Sequence, residues 1–396
     1  MQLSPTPELD LAERLLPAVR LVMRVTDYTS GGRGLTYAAR FRGQLVLESQ
    51  EAYDRLAPVF IAQGMTLFFR NEAGEHVARA VPRAPRRGPG SPRTNLLLFV
   101  LTILSVLLAG ELYDYSGPLT LRGLIVNLPR GLPFAVSLLA ILTAHEFGHY
   151  LVAKYHKTEV TLPFFIPFPG SAFGTMGAFI QMKEPPRNRR TMADIALAGP
   201  LAGLLIAIPV LLLGLALSPV QGLPLVPPPG TVLEGNSLLY LLAKWVVKGE
   251  LLPAPASYAG VAPLVYWIRY MLTGLPAPLG GRDVILSPVA WAGWAGLLVT
   301  ALNLIPAGQL DGGHLMYVLL GSRVRRLWPF LVSALALMGF LWQGWWIWAG
   351  LLFVLGRVHA EPLDEITPLD PRRKVIAVLG LLLFVLVFMP VPLRSF

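Results

Sequence analysis

Long apolar runs separated by short polar segments fill the chain from Thr94 onward. A helix needs about 20 mostly apolar residues to cross the hydrocarbon core of a membrane. The apolar runs are Thr94–Tyr113, Leu132–Val152, Met192–Leu217, Val289–Ile305, Trp328–Leu355 and Lys374–Met389. The fifth run is interrupted by Gln343 and Gly344, which favours a tight hairpin of two helices. The pattern therefore predicts a polytopic α-helical membrane protein with about six to seven transmembrane helices.

Residues 1–81 have a different pattern, with the polarity of a soluble protein. Leu35–Leu47 alternates like a hairpin of strands, Gln50–Gly64 has the period of a helix, and Met65–Val81 predicts two strands about a turn at residues 72–74. We expect a small soluble α+β domain. The basic Pro/Gly linker 82–93 that follows predicts a cytoplasmic location for this domain, because positive charge beside a span is retained inside.

Two connections between the apolar runs have compositions of their own. Thr158–Met182 is rich in Pro, Gly, Phe and β-branched residues, which disfavours a helix and predicts a re-entrant, strand-rich loop. Residues 218–288 are rich in proline, and we expect them to form an extracytoplasmic connection with two short interfacial helices. The predicted organisation is thus three spans over 94–217, this connection, and the C-terminal spans over 289–396.

Composition narrows the class further. Hydrophobic residues make up 54% of the 396 residues and charged residues 14%, which is too apolar for an ordinary soluble protein. A net charge of +10 can indicate nucleic-acid binding, but here Arg and Lys cluster beside apolar runs, as membrane anchors do. The chain has no cysteine, which excludes disulfides, iron–sulfur clusters and Cys-ligated zinc.

His145, Glu146 and His149 form an HExxH motif inside the second apolar run. Residues four apart share one face of a helix, so both imidazoles can bind one Zn²⁺ while the glutamate stands beside them as a general base. Placing ionisable side chains inside the hydrocarbon core costs free energy, so such residues within a span usually have a function. A packing cluster without metal is therefore the weaker interpretation.

A catalytic zinc site usually has three protein ligands, so a third must come from elsewhere in the chain. Two carboxylates near predicted span ends are candidates, Asp194 at the start of the third run and Asp311 just after the fourth. Pro306 and the glycines around Asp311 break a helix and would let that carboxylate turn inward. Asp194 has Arg190 nearby and is expected to start its helix there.

The pairing of HExxH with Asn303-Leu-Ile-Pro306-Ala-Gly-Gln-Leu310-Asp311-Gly-Gly resembles the site-2 proteases, a family of intramembrane zinc metalloproteases. Gly199 and Gly203 are similar to the small-residue GxxxG motif that the family has on the intervening span. The resemblance covers residues 132–320 and includes neither a PDZ module nor a CBS pair. The presence of a soluble domain before the first span resembles the arrangement in the subgroup that includes plant chloroplast members and bacterial relatives.

The resemblance implies one Zn²⁺ per chain held by His145, His149 and Asp311, with Glu146 taking a proton from the attacking water. It also implies a role for Asn303 in stabilising the oxyanion, although this residue can equally cap a broken helix. Residues 173–180 look like the family's substrate-holding strand, and the substrate-binding candidates there are Gly174, Gly177 and Phe179. The implied function is intramembrane proteolysis of single-span membrane proteins.

Two other functions remain open. A CAAX-type zinc membrane hydrolase also has HExxH, but it is expected to carry a carboxylate third ligand on a further helix, commonly in an ExxxH-like setting, and the other apolar runs contain no such setting. A proteolytically inactive scaffold would tolerate the loss of Glu146. A metal transporter would be expected to show more than one polar span. The intact motif favours the protease.

Overall fold

The helices and strands are taken from a computed structural model, which describes residues 10–31, 36–83, 91–113, 115, 117, 120–258, 260–356 and 361–396. These residues divide into two compact units. Unit 1 contains the described residues of 1–88, 183–192 and 360–371, and unit 2 contains those of 89–182, 193–359 and 372–396.

Unit 1 begins as an α+β arrangement of two helices and four strands. In chain order these are α1 (Leu11–Arg20), β1 (Met23–Ser30), β2 (Ala39–Leu45), α2 (Ser49–Ala62), β3 (Met65–Glu72) and β4 (Glu75–Pro82). The strands form one antiparallel sheet in the order β1-β2-β4-β3. Alternate strand residues such as Phe41 and Phe69 pack with Leu15, Leu56 and Phe60 of the helices, because each helix buries its apolar stripe.

The predicted helix and the two strands about residues 72–74 are confirmed as α2, β3 and β4. The prediction of a strand pair within Leu35–Leu47 is wrong in part. The second strand is β2, but its partner β1 lies earlier, and residues 32–35 fall outside the described residues. Strand β1 is polar and mostly exposed, so it lacks the alternation on which the prediction relied.

Two later segments complete unit 1 at the edge of β3. The backbone N–H of Phe69 donates to Leu363 at 2.8 Å, and that of Asp364 donates to Arg187 at 2.7 Å. The Asp364 side chain is fully buried, and it accepts hydrogen bonds from the Ser49 hydroxyl at 2.8 Å and the Ile366 N–H at 2.9 Å. Both segments had been predicted only as parts of longer membrane regions.

Unit 2 is mainly helical. Its helices are α3 (Pro92–Leu112), α4 (Leu121–Asn127), α5 (Leu132–Tyr155), α6 (Arg189–Leu217, whose first turn lies in unit 1), α7 (Leu238–Lys248), α8 (Pro263–Thr273), α9 (Pro288–Asn303), α10 (Asp311–Leu320), α11 (Val324–Met338), α12 (Gly344–Leu355) and α13 (Pro371–Val387).

Six short strands form three antiparallel pairs in unit 2. They are β5 (Phe164–Pro167), β6 (Thr175–Phe179), β7 (Val220–Gly222), β8 (Val232–Glu234), β9 (Arg282–Val284) and β10 (Leu393–Ser395). The pairs are β5 with β6, β7 with β9, and β8 with β10. The strand-rich loop predicted after α5 therefore contains a hairpin, β5–β6.

Three helical stretches of the described residues are long and apolar enough to cross a membrane: Pro92–Leu112, Leu121–Tyr155 and Arg189–Leu217. They coincide with the first three predicted spans. The predicted break at Gln343 and Gly344 is confirmed, because α11 ends at Met338 and α12 begins at Gly344. The later helices are shorter, with 16 residues in α9 and 17 in α13.

Small residues let the central helices of unit 2 approach closely. A Cβ built on Gly148 of α5 would lie 2.5 Å from the Ala198 carbonyl oxygen of α6, and one on Gly293 of α9 would lie 2.6 Å from the Leu211 Cα of α6. Helices that associate in a membrane rely on such close packing. Helix α6 is therefore held tightly against both α5 and α9, the helices that supply the site below.

Candidate metal site

The HExxH motif lies on α5, where all three of its polar side chains are buried. His145, Glu146 and His149 are 3%, 5% and 7% exposed. The two histidines are one helical turn apart, and their Nε2 atoms lie 3.3 Å from each other. Two imidazole nitrogens this close can share a further polar partner.

Asp311 supplies that partner from a break between two helices. Helix α9 ends at Asn303 and α10 begins at Asp311, with Pro306 and Gly308 in the link. Gly308 has a φ of +61°, a left-handed conformation that glycine adopts without strain. The chain thereby reverses and points the Asp311 carboxylate at α5, with Oδ2 3.4 Å from His145 Nε2 and 3.3 Å from His149 Nε2.

The two Nε2 atoms and Asp311 Oδ2 form a nearly equilateral triangle with sides of 3.3–3.4 Å. Ligands about 2.0–2.1 Å from a tetrahedral zinc ion are separated by about 3.3–3.4 Å, so the triangle has the size of a zinc site. Two imidazoles and a carboxylate are also a typical donor set for zinc. Among the described residues, no other group of His, Asp and Glu side chains offers a comparable metal site.

Contacts with α6 orient both histidine rings. His149 Nδ1 lies 2.7 Å from the Ile195 carbonyl oxygen, and donation there leaves the lone pair of Nε2 free for a metal. A Cβ on Gly199 would lie 2.1 Å from His149 Nε2, and one on Gly203 would lie 3.2 Å from His145 Nδ1. The GxxxG glycines therefore make room for the histidine rings, besides permitting close helix approach.

Glu146 lies where α5 meets the end of the β5–β6 hairpin. Strand β6 packs against α5, and the backbone N–H of Ile180, the residue after β6, faces the Glu146 carboxylate. The carboxylate therefore lies beside the two histidines and near the end of the hairpin.

Asn303 is also directed at the metal triangle. It is the last residue of α9, and its Nδ2 atom lies 3.3 Å from His145 Nε2. A residue that only capped the helix would turn its side chain back toward its own backbone. The observed direction favours a role at the site.

The three predicted substrate-binding residues have different surroundings. Phe179 of β6 is 48% exposed, and Gly177 has a φ of +100° with open space where a Cβ would stand. Gly174 also has a positive φ, of +71°, but a Cβ there would lie 2.4 Å from the Ser105 carbonyl oxygen of α3. The small size of Gly174 thus serves packing against α3.

The structure keeps Asp194 apart from the metal triangle. Its carboxylate makes a two-pronged ion pair with Arg373, at 2.8 and 2.7 Å, and lies 3.0 Å from His156 Nε2. Sequence reasoning missed this cluster because Arg373 is 179 residues from Asp194 and no local motif links them.

Comparison with known families agrees with this geometry. A model of Peptidase family M50 matches residues 133–341, which contain the HExxH motif, the hairpin, the GxxxG pair and Asp311. No solved structure matches the chain.

Several plant proteins are similar over much of the chain. One is the probable chloroplastic zinc metalloprotease EGY1 of Arabidopsis thaliana, 32% identical over 66% of this chain and 43% of its own length. Another is the probable chloroplastic zinc metalloprotease EGY2 of Oryza sativa subsp. indica, 29% identical over 91% of this chain and 62% of its own length. The chain thus spans about half the length of these two relatives.

Proposed function

This chain belongs to peptidase family M50, and we propose that it is a zinc-dependent intramembrane endopeptidase of the site-2 protease type. It would hydrolyse peptide bonds within or near the transmembrane segments of single-span membrane proteins. The observation that carries the proposal is the triangle formed by the buried His145 and His149 and the half-buried Asp311, with Glu146 beside it. This arrangement has the ligands and the general base that metal-assisted hydrolysis needs.

Each residue of the site has a separate role in the proposed hydrolysis. His145, His149 and Asp311 would hold Zn²⁺, which when bound polarises the scissile carbonyl and makes water more acidic. Glu146 takes the proton from the attacking water and delivers it to the leaving amine. Asn303 donates a hydrogen bond from its Nδ2 to the developing oxyanion, which its position 3.3 Å from His145 Nε2 supports.

A helical substrate has to unwind before it can be cut, because its carbonyls are otherwise engaged in helix hydrogen bonds. We propose that the unwound segment adds as a strand to β6. In the described residues β6 pairs with β5 along one edge only, which leaves its second edge for such an addition. The packing of β6 against α5 supports this, because it brings the end of that strand, at Ile180, close to the general base Glu146.

The proposed topology has about six to seven spans, with the N-terminal domain in the cytoplasm and residues 218–288 outside. Arginines at 187–190, 323–326 and 372–373 support the cytoplasmic assignment of those segments. Single cysteines in this Cys-free chain test it at three exposed positions: Ser91, Ser322 and Ala256. An impermeant thiol reagent applied to intact cells is expected to label Ala256→Cys only, and the opposite pattern would invert the topology.

The activity is tested with purified protein and a single-span reporter in lipid vesicles. The wild-type protein is expected to contain about one zinc per chain and to cut the reporter within or beside its span. Glu146→Gln is expected to keep zinc but to lose activity by about 100-fold or more, because the amide cannot accept the proton. Cleavage by Glu146→Gln at the wild-type rate, or by metal-free wild type, would refute the mechanism.

A further inference from the structure

One face of α3 is built to hold the β5–β6 hairpin. The residues on this face recur at helical spacing, and they include Asn95, Phe99 and Ser105. Phe99 packs against Phe165 of β5 with ring centroids 4.7 Å apart. The polar members of the face have more specific contacts.

Asn95 uses both hydrogens of its amide group on the segment that leads into β5. Its Nδ2 atom donates to the Leu162 carbonyl at 3.1 Å and to the Pro163 carbonyl at 2.9 Å. The side chain is only 6% exposed, and a buried amide is costly unless it is hydrogen-bonded. Since neither bond is made within α3, the amide contributes to the hairpin and not to its own helix.

Ser105 makes the matching contact at the start of β6. Its hydroxyl, also 6% exposed, donates to the Gly174 carbonyl oxygen, which accepts a second bond from the Phe168 N–H at 3.0 Å. Gly174 itself lies against the α3 backbone, too close for any side chain. The hairpin is therefore tied to α3 just before each of its two strands.

The far side of the same hairpin reaches the candidate active site. Strand β6 packs against α5, and the backbone N–H of Ile180, one residue beyond β6, faces the Glu146 carboxylate. A continuous series of contacts thus runs from α3 through the hairpin to the general base. A shift of the hairpin along α3 would shift any strand paired with β6 relative to Glu146.

We infer that Asn95 and Ser105 are positioning residues that set which peptide bond of the substrate is cut. They fix the hairpin so that an unwound substrate strand on β6 meets Glu146 in one register. The inference rests on the proposed proteolytic function and adds to it the part of the chain that determines the cleavage position. Misplacement of a bound substrate by about 1 Å can cost about 100-fold in rate, so two or three hydrogen bonds suffice to matter.

Asn95→Asp tests the inference with almost no change in size. The carboxylate cannot donate to Leu162 and Pro163, so both bonds are lost. We expect about one zinc per chain, a rise in KM of about tenfold, and cleavage spread over neighbouring peptide bonds when products are mapped by mass spectrometry. Ser105→Ala is expected to give the same spread with a smaller change in KM, and Asn95→Gln, which keeps the donors, to restore most of the single cleavage position.

Thr102→Val is the matched control on the same helix. Its hydroxyl is fully buried like the others but bonds to Leu98 within α3, at 2.8 Å, and has no bond to the hairpin. We expect it to leave the cleavage position unchanged. If Asn95→Asp and Ser105→Ala both cut at the wild-type position with wild-type KM, or if both lose zinc, the inference is overturned.

Wild type and Glu146→Gln are assayed alongside these variants. Failure of the wild type to cut the reporter would refute the proposed function itself. A wild type that cuts at one position, with a Glu146→Gln variant that does not cut, would leave the function standing whatever the α3 variants show.

Discussion

Two largely buried clusters of ionisable side chains in unit 2 balance their negative charge in different ways. The first is the metal triangle of His145, His149 and Asp311. The second lies among residues 218–288, where Lys244 and Asp283, 0% and 4% exposed, have Nζ and Oδ1 3.6 Å apart. Glu234 belongs to the second cluster through Tyr240, whose hydroxyl donates to its carboxylate at 2.9 Å.

The difference lies in the source of the positive charge. The second cluster contains its own cation, since the Lys244 ammonium stands beside Asp283 and 4.5 Å from the centre of the Tyr240 ring. The triangle offers only lone pairs and a carboxylate. A buried charge without a partner is costly, so we expect the triangle to take up a cation or a proton from solution, while the lysine cluster has a cation of its own.

The largest expected effect removes the carboxylate of the triangle. Asp311→Ala leaves two ligands, and we expect the purified protein to lose nearly all zinc and all cleavage activity. Asp194→Ala is the control, because Asp194 pairs with Arg373 and His156 away from the triangle. The zinc content of the two purified variants is compared by metal analysis. If Asp194→Ala lost zinc and Asp311→Ala kept it, Asp311 would not be the third ligand.

The second cluster is broken by Lys244→Met. The variant leaves Asp283 buried without a cation, and we expect a loss of about 3–5 kcal/mol in the free energy of unfolding with zinc content unchanged. Lys244→Met combined with Asp283→Asn is expected to recover part of the loss, since the buried charge is then gone as well. Unfolding measured in detergent tests both variants, and a single variant as stable as wild type would show that this ion pair contributes little.

A smaller effect on the triangle is expected from α6. Gly199→Ala places a methyl group against His149, at a position 2.1 Å from Nε2, and the ring must move. We expect zinc affinity to fall about tenfold, the lower end of the effect of disturbing the groups around a metal ligand. Gly350→Ala on α12 is the control, because no atom lies within 4 Å of its added Cβ. Equal zinc affinity in both variants would mean that the ring tolerates displacement.

The smallest expected effect is a change in the pH dependence of stability. Burial, together with repulsion by Asp283, raises the pKa of Glu234 to about 7. Between the ordinary Glu value and pH 7 the folded protein therefore binds more protons than the unfolded chain, so the free energy of unfolding falls as pH rises through this window. Glu234→Gln is expected to flatten that dependence in unfolding curves compared at about pH 5 and about pH 7.5. If the free energy of unfolding of Glu234→Gln depended on pH as in the wild type, the titrating group would be another residue.

The same two clusters show what a sequence can and cannot predict. His145, Glu146 and His149 are encoded by a four-residue spacing on one helix, which fixes their relation before any tertiary structure forms. Asp311 required a resemblance to a known family. The lysine cluster escaped prediction because its members come from a helix and two short strands with no shared motif. Long-range pairing, as of Asp194 with Arg373, depends on how helices pack and is not contained in local pattern.

Unit 1 shows the same limit on a larger scale. The alternation in β3 and β4 and the helical period of α2 could be predicted from local sequence. The attachment of residues 361–371 to the edge of β3, and of residues 183–192 to that segment, could not, because backbone hydrogen bonds to an edge strand leave no side-chain pattern.

That attachment also has a consequence for how the protein is made. A ribosome releases the chain from its N-terminus, and domains usually fold as they emerge. The sheet and helices of residues 10–83 are synthesised before the helices of unit 2, whereas Asp364, fully buried against Ser49, is synthesised after most of those helices. The early part of unit 1 must therefore persist in the nascent chain with its β3 edge uncovered until most of the apolar helices have been translated.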